Sequence, residues 1–175
     1  MYEPREDSFF LESHLKKLDE KFEIALDMGT GSGILAKALL EKAYKVIAVD
    51  INPDVIKRLD ERFEKYESDL FKKVPNKYYK SIDLIVFNPP YLPLGEDEQD
   101  DTLHGGELGV ETTIKFLAQS KKYLKHSGKI LFIASSTASL AILDLKIKEL
   151  GYKAKIKDTL KLFFEQLHIY EVTYD

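Results

Sequence analysis

Two hydrophobic periods alternate along this chain. Short apolar runs of strand type are "FEIALDMG" (22–29), "YKVIAVDI" (44–51), "SIDLIVF" (81–87) and "GKILFIAS" (128–135). Between them, apolar residues recur at helical spacing in "GILAKALLEKA" (33–43), "NPDVIKRLDERF" (52–63), "VETTIKFLAQSKKYLK" (110–125) and "TASLAILDLKIKELG" (137–151). Another helix is expected at Ser8–Leu18, capped by Asp7 or Ser8. Asn52 and Pro53 have the chemistry of a cap and a first helical residue, and Gly151 that of a stop. "YKAKIKD" (152–158) and "HIYEVTY" (168–174) supply late strands. "RFEKYESDLF" is ambiguous. A crossover helix needs a parallel strand to return to, so a short strand is expected around Phe63–Ser68. The alternation predicts an α/β fold: an open, parallel-rich sheet with helices on both faces. Ligands in such sheets bind outside the carboxyl ends of the strands.

Four polar features fall at those ends. "DMGTGSG" is a glycine turn between a strand and a helix, with Gly29, Gly31 and Gly33. A dinucleotide loop wants glycine at position 34, where this chain has Ile34. G-x-G-x-G behind an acidic residue suits S-adenosylmethionine, whose sulfonium and ammonium a carboxylate such as Asp27 could attract. The plain alternative is a turn kept for helix–strand packing. Asp50 ends the second strand, where an acidic residue takes ribose hydroxyls. Asp69 ends the short third strand. It could accept from an adenine amino group with Leu70 against the ring, or be an ordinary turn aspartate.

The fourth feature is "NPPY", Asn88 to Tyr91. Two adjacent prolines cannot donate to a ladder, so the strand before them must stop. What remains is a rigid turn holding out one amide and one phenol. A planar amine, as in adenine or a glutamine amide, carries two N–H donors and a flat face. The Asn88 oxygen can accept one hydrogen, the Pro89 carbonyl the other, and Tyr91 can stack on the face. Such a grip orients the nitrogen and removes its water.

Composition narrows the classes. The chain has 175 residues, 44% of them hydrophobic and 32% charged, so one domain spanning 1–175 is expected. Its net charge of −4 argues against gripping nucleic acid by phosphate contacts alone. With no cysteine, thiol chemistry and Cys-ligated metal are excluded, and the four histidines lack metal-ligand spacing, so no metal is expected. No apolar run approaches a membrane span and the N-terminus is unlike a signal peptide; the expected location is cytoplasmic.

Together, "DMGTGSG", Asp50, "SDLF" and "NPPY" resemble the class I S-adenosylmethionine-dependent methyltransferases. "YEPREDSFFL" (2–11) and "GGELGVE" (105–111) resemble, within these, the HemK/PrmC group, which methylates glutamine in peptide chain release factors. The resemblance runs from Tyr2 to "LFFEQLHIYEV". It implies a Rossmann-like, seven-stranded, mostly parallel sheet with its last strand antiparallel. It implies methyl transfer to the amide nitrogen (N5) of the glutamine in a Gly-Gly-Gln motif. With "YEPRED" at its start, the chain is expected to lack the N-terminal helical domain of bacterial members. It is similar to the short archaeal and eukaryotic members, which often need a small zinc-binding activator protein, so a heterodimer with such a protein is the expectation the resemblance carries. By position, the resemblance puts Ser8, Asp27, Gly29, Gly31, Gly33, Asp50, Asp69 and Leu70 around the cofactor. It puts Asn88, Pro89, Pro90 and Tyr91 around the target amide, with Asn88 also bordering the cofactor. The stretch between Asp50 and Asp69 is shortened, and His104 stands where an apolar residue is expected.

Other readings compete. "NPPY" fits adenine equally well, so an RNA or DNA adenine-N6 methyltransferase is the alternative; the acidic balance counts against it. A non-catalytic binding module has no use for the clamp. A NAD-dependent oxidoreductase fails at Ile34. The acidic stretch "GEDEQDD" (95–101) is either a solvated loop or a receiver for a basic protein. The partner is expected along the third strand, on a patch of Phe63, Tyr66, Tyr78 and Tyr79.

Overall fold

The computed structural model describes residues 4–92 and 105–174, so His104 and the acidic stretch 95–101 lie outside the described residues. The apolar runs form β1 (Phe22–Met28), β2 (Ala43–Asp50), β3 (Glu64–Glu67), β4 (Ile82–Phe87), β5 (Leu124–Ser135), β6 (Lys153–Lys161) and β7 (Gln166–Thr173). They make one seven-stranded sheet in the order β3-β2-β1-β4-β5-β7-β6. All pairings from β3 to β5 are parallel, and β7 runs antiparallel to both β5 and β6. The order reverses at β1, where β2 lies on one side and β4 on the other. That switch point opens a crevice at the strands' carboxyl ends.

The side-chain period of two sorts the strand residues onto two faces. Ala25, Val46, Leu84, Val86, Leu131 and Ile133 pack with Leu11 and Leu15 of α1 (Glu6–Lys16), Leu35 and Leu39 of α2 (Ile34–Leu39) and Val55 of α3 (Pro53–Arg58). On the opposite face, Leu26, Ile47, Ile85, Phe87 and Phe132 meet Phe116 and Leu117 of α4 (Glu111–Ser120) and Leu143 and Ile147 of α5 (Leu140–Glu149). Each fully buried Leu or Phe contributes about 2 kcal/mol by area. The expected α/β architecture, with helices on both faces, is what forms.

Several local expectations shift. The first helix starts at Glu6, with Arg5 as its N-cap and no side-chain capping bond. Asp7 and Ser8 are not caps; they sit in the first turn, only 3% and 4% exposed. The helix expected to run to Lys125 ends at Ser120. Tyr123 instead buries its ring in a stack with Phe71 (centroids 4.6 Å apart) and β5 starts at Leu124. Asn52 does cap α3, its side chain accepting from Asp54 N at 2.9 Å, with Pro53 at the first position.

The short third strand exists and is one edge of the sheet, but the patch expected beside it does not. Phe63 and Tyr78 are buried, Tyr66 packs against the core, and Tyr79 alone of the four is exposed. Phe63 is taken up by the cluster that includes Val55 of α3, and Tyr78, with Tyr66 against it, by the cluster on the other face. At the other edge, β6 carries the exposed row Lys153, Lys155 and Lys157, which disfavours edge-to-edge pairing.

Candidate active site

The crevice at the switch point is a cleft of about 840 Å³. Its floor is the turn after β1. Gly29, Gly31 and Gly33 all have positive φ (62°, 50° and 76°), a conformation side chains resist. At Gly29 a Cβ would also press within 3.3 Å of the Phe87 ring. Gly33 does not line the cleft. It is the N-cap of α2, where a Cβ would strike Leu59 at 2.9 Å, so its role is to start the helix.

Two carboxylates hold this turn from opposite sides. Asp50, at the end of β2, lines the cleft and accepts from Gly31 N and Asn52 N, both at 2.9 Å. Asp27 is completely buried and absent from the cleft wall. One of its oxygens accepts from Thr30 Oγ1 (2.7 Å) and Ala36 N (3.0 Å); the other, Oδ1, has no partner among the described residues. Burial, against the pull of those two bonds, raises its pKa from 3.8 to about 7. Asp27 is therefore an internal brace of the glycine turn, one layer behind where direct contact with a ligand was expected.

Asp69 and Leu70 line the far end of the cleft. Asp69 accepts from Lys72 Nζ at 2.6 Å in an exposed ion pair. Leu70 adopts φ 49°, costly for a branched residue, and packs partly against the core beside the opening.

The clamp follows β4. Pro89 is buried and Asn88, Pro90 and Tyr91 line the cleft. Asn88 Nδ2 donates to Ser8 Oγ at 3.3 Å, while Asn88 Oδ1 is buried with no hydrogen-bond partner among the described residues. Buried acceptors are nearly always satisfied, so this orphan, on a residue that borders the cleft, is an acceptor that a small turn of the side chain would offer to a ligand's N–H. Tyr91 OH donates to Asp7 Oδ2 at 3.1 Å, and Asp7 Oδ1 accepts from Ser8 N at 2.6 Å. The first turn of α1 thus closes over the clamp.

The reason for "GGELGVE" emerges here. The chain returns beside the clamp through Gly105 N donating to Leu92 O at 3.0 Å. A Cβ on Gly105 would lie 2.6 Å from both the Pro90 and Gly109 carbonyl oxygens. Glu111 folds back to accept from Leu108 N and Val110 N, filling the space beside Gly106. Burial would raise the Glu111 pKa, but these backbone donors and its own N–H hold it below the usual range.

The cleft gathers Ser8, Gly29, Gly31, Asp50, Asp69, Leu70, Asn88, Pro89, Pro90 and Tyr91, leaving only Asp27 and Gly33 of the expected residues behind its wall. Sequence reasoning missed Asp7 as a member of the clamp, and missed Thr112, Lys115 and Gln119 of α4 and Leu162, Glu165 and Leu167 of the last hairpin. Asp7 was visible only as a capping candidate. The hairpin residues carried no signal, because the antiparallel pairing that brings them over β5 is a tertiary fact.

Residues 6–158 match the family described as "Methyltransferase small domain". A Methanocaldococcus jannaschii protein named "Putative protein N5-glutamine methyltransferase" is 37% identical over 97% of this chain and 89% of its own length. The release factor glutamine methyltransferase of Shewanella oneidensis is 33% identical over 89% of this chain, which spans 60% of that protein. Among solved structures, a chain of the E. cuniculi Mtq2–Trm112 complex, which methylates the eRF1 translation termination factor, superposes with a TM-score of 0.83. It is 25% identical over 99% of this chain and 98% of its own. Those matches span the glycine turn and the clamp alike, and on them the chain belongs to the small-domain methyltransferases.

Proposed function

We propose that this chain transfers a methyl group from S-adenosylmethionine to the side-chain amide nitrogen of the glutamine in the Gly-Gly-Gln motif of a peptide chain release factor. We propose further that it works beside a small zinc-binding activator protein. The observation that carries the reading is Asn88, which lines the cleft next to two prolines and Tyr91 and whose buried Oδ1 has no partner among the described residues. It asks for an N–H donor. The relatives named for glutamine and release factor methylation support a glutamine amide as that donor.

The residues fit S-adenosylmethionine. The cleft holds about 840 Å³, within the range of small-molecule sites, and its glycine turn leaves backbone open to a ligand. Asp50 keeps lone pairs for ribose hydroxyls after its two backbone bonds. Ser8, Gly29, Gly31, Asp69 and Leu70 border the same space. Bound there, S-adenosylmethionine supplies an electrophilic methyl group.

The chain's own residues then act on the amide. Asn88 Oδ1 and the Pro89 carbonyl accept its two hydrogens, which turns the nitrogen toward the cleft and excludes water. Tyr91, anchored through Asp7, bounds the amide face. No side chain needs to act as a strong base, because a methylated amide nitrogen is very acidic and sheds its proton after transfer. Positioning of this kind is worth about 7–11 kcal/mol in well-oriented reactions.

The test is incubation with labelled S-adenosylmethionine and a release factor, beside transfer RNA and DNA. Label on the Gly-Gly-Gln glutamine is the expected result. Label on adenine in the nucleic acids, with none on the factor, would overturn it.

A further inference from the structure

The β6–β7 hairpin turns through Leu162, Phe163, Phe164 and Glu165, closed by Leu162 N donating to Glu165 O at 2.8 Å. Two-residue hairpin turns favour Gly, Asn and Asp, for conformational reasons. Here both central residues are phenylalanine, and neither adopts the positive φ that such a turn would exploit. Phe163 is 91% exposed and Phe164 89%. Their rings meet each other edge to face, 4.6 Å apart. Single exposed apolar residues are ordinary, but two adjacent aromatic rings that cover no core and serve no turn geometry are not.

The base of this tip is fixed. Ser136 and Gln166 exchange two bonds, Ser136 N to Gln166 O at 2.8 Å and Gln166 N to Ser136 Oγ at 2.9 Å, and Ser135 Oγ donates to Glu165. The residues flanking the rings belong to the candidate active site: Leu162, Glu165 and Leu167 line the same cleft as Asn88 and Tyr91. The hairpin therefore holds two bare rings at the rim of the cleft on a braced support. Binding to rigid, already exposed aromatic side chains costs little ordering entropy, which is why such residues dominate contact surfaces.

We infer that Phe163 and Phe164 anchor the body of the protein substrate, seating on an apolar surface of the release factor beside the loop whose glutamine enters the clamp. This rests on the glutamine reading: a glutamine on a loop brings its folded domain to the cleft rim, and the hairpin is part of that rim. A polypeptide fits better than a nucleic acid. Glu6, Asp7, Asp50, Asp69 and Glu165 outnumber Arg5, Lys72 and Lys115 around the cleft, a balance that repels phosphate.

The experiment compares the wild type with F163A/F164A and F163L/F164L on an intact release factor and on a short Gly-Gly-Gln peptide that cannot reach the tip. Wild-type methylation of the factor's glutamine tests the function itself; the ratio between variant and wild type tests the anchor alone. The alanine pair should raise KM for the intact factor roughly tenfold or more, as loss of two contact rings does. It should leave kcat, S-adenosylmethionine affinity and kcat/KM on the peptide unchanged, and the leucine pair should recover most of the loss. Unchanged KM for the factor would overturn the anchor. So would an equal loss on factor and peptide, which would mean a structural role.

Discussion

The phenol of Tyr91 donates to the carboxylate of Asp7 at 3.1 Å, across 84 positions of sequence. Asp7 also accepts from the amide and hydroxyl of Ser8, and Ser8 in turn accepts from Asn88. The clamp after β4 and the first turn of α1 are thereby one polar unit, with Asp7 at its buried end.

If that unit positions the clamp, its two ends are energetically coupled. Asp7→Asn and Tyr91→Phe should each lower kcat about tenfold, the scale of a hydrogen bond to a charged group. The double variant should lose little more than either alone. Losses that simply add would show that the two residues act separately.

Asn88→Ala separates binding from chemistry. Removing the unpartnered Oδ1 takes away an acceptor for the target amide but leaves Asp50 and the glycine turn intact. Cofactor affinity by calorimetry should hold while turnover falls by roughly two orders of magnitude, the scale of losing one positioned transition-state partner. A thermal melt checks the sheet. Near-normal methylation would make Asn88 a turn residue only.

Asp50 does two jobs, so its substitutions must be paired. Asp50→Ala loses the ribose acceptor and also releases Gly31 N and Asn52 N. Asp50→Asn keeps one acceptor and loses the charge. Affinity for S-adenosylmethionine should fall with both, roughly tenfold or more for alanine. Equal affinity in all three proteins would remove Asp50 from the site.

Much of the fold and the site is legible in the amino-acid sequence, for identifiable reasons. Strand and helix periods, the Asn52–Pro53 start and the proline stop after Phe87 are local chemistry; the cap and the stop stand where their residues place them, and the periods give each element's type though not its ends. What escapes depends on burial and contact across the chain. Asp7 reads as a cap because Asp and Ser open helices; only the approach of Tyr91 pulls it inward. Asp27 reads as a ligand contact because it ends a strand, but Thr30 and Ala36 claim it from behind. Tyr78 reads as surface until the turn before β4 folds it into the cluster with Phe71 and Phe116, on the face away from α3.

Asp27 makes stability depend on pH. Its folded pKa of about 7 lies above the ordinary 3.8, so between those values the folded state holds a proton that the unfolded state has released. Stability should then fall as pH rises through that window, by about 4 kcal/mol in all, and level off above it. Asp27→Asn should flatten that slope, in thermal melts from acid to neutral pH. Parallel curves for the two proteins would sink the assignment.

The sheet has two edges, and only one suits a partner strand. β6 presents an exposed row of one sign, Lys153, Lys155 and Lys157, whereas β3 carries both signs with its acids paired to nearby lysines: Glu64 bonds Lys45, Lys77 and Tyr66, and Glu67 bonds Lys73. A neutralised edge leaves its backbone groups as the main feature to pair, which favours strand addition there. The chain should therefore form a one-to-one complex with a small zinc-binding activator, seen by sedimentation. Amides in 64–67 should gain hydrogen-exchange protection on complex formation, while those in 153–161 should not. Protection of β6 would move the interface to the other edge. A chain that sediments as a monomer with the activator present, and is fully active alone on a release factor, would remove the partner and leave the methyltransferase assignment standing.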